Sequence, residues 1–454
     1  MVKILKSILI LILTVSFFSG VIVSAQSLST ADRARLQAEY DQLQKEIAEW
    51  QKVLDETRAK KNTLQGDVSL LNAQIEQATR EIKQRNVKIT TLNDDIKQKT
   101  VVISSLEKRI NDDKVLLANL IKKKDQNEVQ PIFYLLLSAN DLSAMISSVD
   151  NIATINQGLQ NLFEELRGKK TETQKAKSEV EAKKNQELDA QYEIEQKKNQ
   201  ITKNQTEKKQ LLAITTQVES NYQNVLADRQ RRAETIRSAL FNLRDTDGIP
   251  FSTALEYAQN ASAKTGVRAS VILAILSQES DLGKNIGSCY VSNLNNGDGV
   301  GKNTGSKFEQ VMKAPRDTEP FQKITKALGL NWTTSPVSCP LGAVYYVGRG
   351  FGGAMGPSQF IPSTWELFTP RLKTTLGVSQ PNPWNPKDAI MATAIYLADL
   401  GASGQTFTAE RDAACKYYSG RACDNKTPKN YFYGDSVVAK AAKFQDDIDF
   451  LKDL

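Results

Sequence analysis

Glu279 is the residue whose type and setting point most directly to chemistry. It stands in the stretch 270–287, SVILAILSQESDLGKNIG, just after a run in which Val271, Ile272, Ala274, Ile275 and Leu276 cover most of a helix surface. That pattern predicts a short buried helix, with Ser270 placed to cap its start and Gly283 to stop it. A carboxylate at the rim of an apolar core has its charged form disfavoured, so its pKa rises. A general acid working near neutral pH needs that shift. The simpler reading is a solvated carboxylate at a helix end. A negative charge at a helix C-terminus opposes the dipole, which weighs mildly against that reading. Asp281 is poorly placed as a second carboxylate, because residues two apart on a helix point to nearly opposite faces.

The remaining chemistry narrows by exclusion. The chain contains no histidine, which removes Ser-His-Asp and Cys-His hydrolases and every His-ligated zinc peptidase. A second stretch, 352–365, reads GGAMGPSQFIPSTW. Its glycines let backbone approach a ligand closely. Ser358 and Gln359 offer hydrogen bonds, Met355 and Phe360 an apolar face, and Pro362 a helix start. Taken alone, this is an ordinary Gly/Pro loop feeding a helix.

Taken together, SQESDLGKNIG, GGAMGPSQFIPSTW, NPWNPKDAIMATAIYLADLG and ACKYYSG, in that order, resemble a lytic transglycosylase of the lysozyme superfamily, the membrane-bound transglycosylase B type. The resemblance spans nearly all of 251–454, and GAMGPSQFIPSTW is its most specific part. It implies a lysozyme-like (SLT-type) α fold. The activity implied is cleavage of the MurNAc–GlcNAc bond of peptidoglycan, leaving a 1,6-anhydro end, with no cofactor and no metal. It assigns Glu279 as the catalytic acid/base and Ser280 as the polar residue beside it. Met355, Gly356, Ser358 and Gln359 match the sugar-groove motif, and Trp384 through Ala389 a structural turn and helix start. Tyr417 matches the tyrosine of a Tyr-Asn motif whose asparagine is here Tyr418, and Tyr433 matches a groove tyrosine. Some members carry an Asp-rich calcium loop before the NPW turn; residues 371–380 hold no carboxylate here, so no calcium is expected.

Several elements must position these residues. Helical patterns recur at 253–264, 270–282, 318–328, 362–368, 386–400, 409–418 and 434–451, and strand signals are sparse, so residues 251–454 form a mainly α domain. The four cysteines, Cys289, Cys339, Cys415 and Cys423, all fall within it. An even number in an exported chain favours disulfides. Cys289–Cys339 with Cys415–Cys423 is the local pairing; the other two connectivities and a structural zinc site stay open.

Residues 26–244 have a different character. From Leu36 to Leu120 apolar residues recur at 4-3 spacing, interrupted at Thr57, Lys61, Arg85, Lys99 and Asp113. This predicts one long coiled-coil helix. An apolar stretch follows at 131–149, then a polar return with a weaker seam from Leu211 to Val225. The expected architecture is a long antiparallel coiled-coil hairpin with an apolar tip, with a single parallel dimeric rod as the alternative. The arms and tip resemble the coiled-coil domain of bacterial division peptidoglycan hydrolases and their activators. That resemblance implies engagement of a membrane ABC-transporter-like division complex. DTDGIP at 245–250 is the expected linker.

Residues 1–25 combine Lys3 and Lys6, an apolar run and Val23-Ser24-Ala25, the plan of a cleaved signal peptide; an uncleaved anchor is the alternative. The formal net charge of +7 is spread along the chain. It suits an anionic envelope polymer and gives no nucleic-acid signal. The expectation is therefore an exported enzyme of the cell envelope, periplasm or cell surface acting on peptidoglycan glycan strands. A hydrolytic muramidase and a non-catalytic glycan-binding scaffold are the competing readings.

Overall fold

The computed structural model describes residues 30–58, 64–128, 142–214, 248–340 and 350–452, together with residues 227 and 231. The expected signal peptide, residues 131–141 of the apolar tip and residues 245–247 of the linker lie outside these. Among the described residues the chain is mainly helical, with one small sheet. It divides into two units. One takes residues up to 49 together with 79–194, and the other takes 50–78 together with 195 onward.

The first unit takes parts of three long helices, α1 (Thr30–Arg58), α2 (Leu64–Glu128) and α3 (Leu142–Ile214), whose segments 50–58, 64–78 and 195–214 fall in the second. Their sequence period buries Leu43, Leu92, Leu106, Leu159, Leu162, Val180 and Ile194. At 1.5 Å per residue, α2 and α3 are about 100 and 110 Å long. Lys183 pairs with Asp95, Lys177 with Glu107 and Lys169 with Asp113, each at 2.6 Å. One partner's number rises as the other's falls, so α2 and α3 run antiparallel.

The single helix expected from Leu36 to Leu120 is not formed. Arg33 of α1 reaches Asp95 of α2 (2.7 Å) and also pairs with Asp94, and Glu46 accepts from Arg80 at 3.3 Å. By the same logic α1 lies antiparallel to α2. Among the described residues α1 ends at Arg58 and α2 starts at Leu64, on either side of the interruption at Lys61. Folding back lets α2 bury a second face: Val87 lies off the expected seam and is buried, and Asp94 is 5% exposed beside Arg33.

In the second unit the residues from 248 onward supply α4 (Phe251–Thr265), α5 (Ala269–Ser280), α6 (Thr318–Ala327), α7 (Pro362–Leu376), α8 (Pro386–Asp399), α9 (Phe407–Ser419) and α10 (Tyr431–Lys452). Helix α5 is the centre: Val271 through Leu276 are fully buried, and α10, α4 and α8 pack around it. Each of its buried Val, Ile and Leu side chains contributes roughly 1.5–3 kcal/mol. Its ends differ from expectation. Ser270 lies inside the helix, and among the described residues its buried hydroxyl has no hydrogen-bond partner. Arg268 stands at the cap position without capping. Its guanidinium instead forks onto Glu410 of α9, which is 1% exposed. The helix stops at Ser280 rather than at Gly283, because Asp281 already turns left-handed at φ 51°.

Helix α7 runs past its expected end at Phe368, through Pro370. Proline removes one backbone donor. Leu372 is fully buried, and Arg371 grips Asp399 through two N–H groups, at 2.5 and 3.1 Å; this tertiary anchoring outweighs the missing bond.

The small sheet was not legible as strands. It consists of β1 (Cys289–Val291), β2 (Gly299–Gly301) and β3 (Lys307–Phe308), antiparallel in the order β1-β2-β3. Single bridges extend it from Cys289 to Val337, from Val337 to Met355 and from Met355 to Phe360. The sheet thereby reaches into the GGAMGPSQF stretch. Both disulfides take the local pairing, Cys289–Cys339 and Cys415–Cys423. They fit an oxidising environment. No described helix is long and apolar enough to cross a membrane.

Candidate active site

Glu279 is the penultimate residue of α5 and is half-buried. Burial is the larger influence on its carboxyl and pushes the pKa up; a hydrogen bond from the Tyr433 hydroxyl pulls it partly back. Tyr433 sits in the first turn of α10 and is 4% exposed. Its own pKa is pushed far up by burial first, then by the charge on Glu279. It therefore stays protonated and acts as a fixed donor to the carboxylate.

Asp281 faces away as expected: its side chain is 68% exposed and pairs with Lys284 at 2.9 Å. Backbone strain begins at the same point. Asp281, Leu282 and Gly283 follow one another at φ 51°, 55° and 83°, a conformation that non-glycine residues seldom adopt. The carbonyl of Leu282 accepts the Ile249 N–H at 2.8 Å, and Ile249 is buried. The segment that enters α4 is thus tied to the turn that ends α5.

The two stretches singled out in the sequence meet at Ser280. Its hydroxyl donates to the Pro357 carbonyl at 2.6 Å and accepts the Gly283 N–H at 2.8 Å. The 356–359 turn is held from two further helices. Ser358 Oγ donates to the Ala389 carbonyl (2.9 Å) and accepts from Thr393 Oγ1 (2.7 Å), both on α8. The Tyr417 hydroxyl, on α9, donates to the Ser358 carbonyl at 2.7 Å. Burial raises the Tyr417 pKa well above the usual phenol value, and the nearby Glu279 charge adds to it.

These bonds place the sequence-assigned groove residues in different roles. Ser280, Ser358 and Met355 are 2%, 1% and 0% exposed. Their polar atoms and backbone are committed to internal bonds, so they set the position of the turn rather than offer it to a ligand. Gly356 is buried at φ 63°. Gln359, half-buried at φ 51°, turns its Nε2 back to the Gly356 carbonyl at 2.8 Å. Tyr433, expected as a groove contact, instead holds the acid. The NPW turn closes the same region. Trp384 Nε1 donates to Pro336 at 2.9 Å, and Asn385 caps α8 by accepting from Lys387 and Asp388.

Sequence reasoning missed two contributors. Ile249 falls within the expected linker, yet it is buried and bonded to Leu282. Tyr418 was read only as a departure from the expected Asn, yet its ring stacks on Tyr433 at 4.8 Å. Among the described residues, no group of three His, Cys, Asp or Glu side chains is arranged to hold a metal ion.

A pH effect follows from this geometry. Removing the Tyr433 hydroxyl leaves burial unopposed, so the Glu279 pKa rises further in Tyr433→Phe. A reaction that needs protonated Glu279 loses rate as pH climbs through that pKa. The alkaline limb of the variant's pH–rate profile is therefore expected at higher pH than in the parent. An alkaline limb that stays in place would remove Tyr433 as a partner of the acid.

No protein-family model matches the chain, nor does any curated protein or any solved structure. The site consists of one carboxyl at the end of a buried helix, a fixed tyrosine donor beside it, and a glycine-containing turn bonded to the neighbouring Ser280.

Proposed function

We propose that the chain is an exported lytic transglycosylase that cleaves the MurNAc–GlcNAc bond of peptidoglycan glycan strands. The observation that carries this reading is the setting of Glu279: burial raises its pKa, and the hydrogen bond that touches it comes from a tyrosine and not from a second carboxylate. Protonated Glu279 donates its proton to the glycosidic oxygen as that bond breaks. The substrate's N-acetyl group stabilises the sugar cation, as in substrate-assisted glycosidases. The Glu279 carboxylate then takes the proton of the C6 hydroxyl. The C6 oxygen closes on C1 and the 1,6-anhydro sugar leaves. The acid is regenerated, and the sequence uses no water, cofactor or metal.

Several observations support the wider architecture. The descending ion pairs between α2 and α3 suit the arms of a coiled-coil hairpin. The all-round burial of α5 suits the central helix of a lysozyme-like domain. The two disulfides suit an envelope or extracellular location. The controlling partner would be a membrane ABC-transporter-like division complex engaged through the tip near 131–149; the resemblance of the coiled coil supports that part of the reading.

The decisive measurement is mass spectrometry of fragments released from purified peptidoglycan. Muropeptides ending in 1,6-anhydro sugars are expected. Fragments heavier by one water, with reducing ends, would make the protein a hydrolytic muramidase. Glycan that binds but is not released would make it a scaffold.

A further inference from the structure

Two large aromatic side chains of this domain stay open to solvent and are linked to the acid through Tyr433. Tyr418, at the end of α9, is 50% exposed, and Phe432, in the first turn of α10, is 51% exposed. Their rings meet edge to face at 5.6 Å and 72°. Tyr418 also lies flat on Tyr433, with centroids 4.8 Å apart and planes 15° from parallel. A continuous line of contacts thus runs from Glu279 through Tyr433 and Tyr418 to Phe432.

Single exposed aromatics are common and need no explanation. This pair differs because the backbone on both sides is clamped. The Cys415–Cys423 disulfide closes the chain around Tyr418. A Cβ on Gly434, two residues after Phe432, would fall 2.6 Å from Cys415 Sγ and 2.8 Å from Cys423 Sγ; only glycine lets α10 seat on the disulfide. The Asn430 side chain donates to the Arg421 and Ala422 carbonyls at 3.1 and 3.0 Å and accepts the Asp424 N–H at 2.7 Å. Rings held this firmly lose little freedom when a ligand settles on them.

We propose that Tyr418 and Phe432 form a sugar-stacking platform for a pyranose one or two residues along the glycan from the bond whose oxygen Glu279 protonates. The inference rests on the glycan-cleaving reading and names a binding surface for it. The C–H face of an N-acetylhexosamine is apolar and matches a half-exposed ring, while its hydroxyl and N-acetyl groups stay hydrated at the edges. The occupant is a sugar face rather than a protein because the open rings are linked to the acid by contact: Tyr418 stacks on the buried Tyr433, whose hydroxyl donates to Glu279.

The test uses the mature full chain carrying Glu279→Gln, so that ligand is not consumed, and titrates it with the β-1,4-linked hexamer of N-acetylglucosamine by calorimetry. The Tyr418→Ala/Phe432→Ala pair in that background is expected to weaken binding at least tenfold, and Tyr418→Trp to restore most of it. Phe432→Ala alone, at an exposed position, separates loss of binding from loss of folding and is expected to weaken binding at least threefold. Hexamer affinity unchanged in both alanine variants overturns the platform. So does the absence of hexamer binding by Glu279→Gln itself. The parent chain's anhydro-product assay is read separately. Anhydro products together with unchanged affinities would remove the platform and leave the acid in place. Absent products together with weakened affinities would remove the acid reading and leave a glycan-binding surface.

Discussion

Glu279→Gln is expected to lower glycan cleavage by about 10²–10⁴-fold, the usual contribution of a positioned general acid, while far-UV and near-UV circular dichroism stay unchanged. Glutamine keeps the shape and can still accept from the Tyr433 hydroxyl, but it has no acidic proton to give. The variant also has a stability signature. Glu279 has its folded-state pKa raised above the ordinary 4.5. Between those two pKa values the folded state holds more protons than the unfolded state, so the parent loses stability as pH rises through that window. Glutamine has no such dependence. The variant should therefore be at least as stable as the parent near pH 7, with the difference vanishing below about pH 4. Chemical denaturation at several pH values measures this. A variant that cleaves at the parent rate would remove Glu279 as the acid; a stability gap that grows toward acid pH would contradict the raised pKa.

Gly356→Ala should be the most damaging single-methyl change near the site. Gly356 holds φ 63°, and a Cβ there would stand 1.9 Å from the Pro383 carbonyl oxygen. Backbone cannot swing aside as a flexible side chain can, so the 356–359 turn or the NPW turn must move. The expected loss is about 3 kcal/mol, combining left-handed strain with displacement of packed backbone. For a domain of this size that lowers the thermal midpoint by about 6–12 °C. Activity should fall as well, because the turn is bonded to Ser280, next to the acid. Gly377→Ala is the control: it has nearly the same φ, 68°, but nothing within 4 Å of the added Cβ, so only the conformational strain of about 1–2 kcal/mol applies. Equal destabilisation by the two substitutions would show that the backbone clash is not what matters at Gly356.

The sequence by itself determined the features written in short-range patterns. The apolar run from Val271 to Leu276 specified a buried helix with a carboxylate at its end, because helical period and burial are local properties. Pro362 marked the start of α7 and Pro386 that of α8. The cysteine positions pointed to the local disulfides. Where competing local signals existed, packing decided. Ser270 looked like a cap but is inside α5. The pattern of α7 was expected to end at Phe368, but the helix runs on through Pro370 to Leu376, with Leu372 buried and Arg371 paired with Asp399. The seam from Leu36 to Leu120 read as one helix, yet α1 turns back on α2, because a heptad records that a face is buried and not which helix buries it. The site belongs to the tertiary structure most of all. Tyr433 meets Glu279 across 154 residues, and Ser280 meets Pro357 across 77. No local propensity encodes those meetings. They arise because α10 packs along α5 and the sheet's bridges draw Met355 and its turn to the same end of that helix. The sequence singled out Glu279; the packing of α10 supplied the tyrosine that holds its carboxyl.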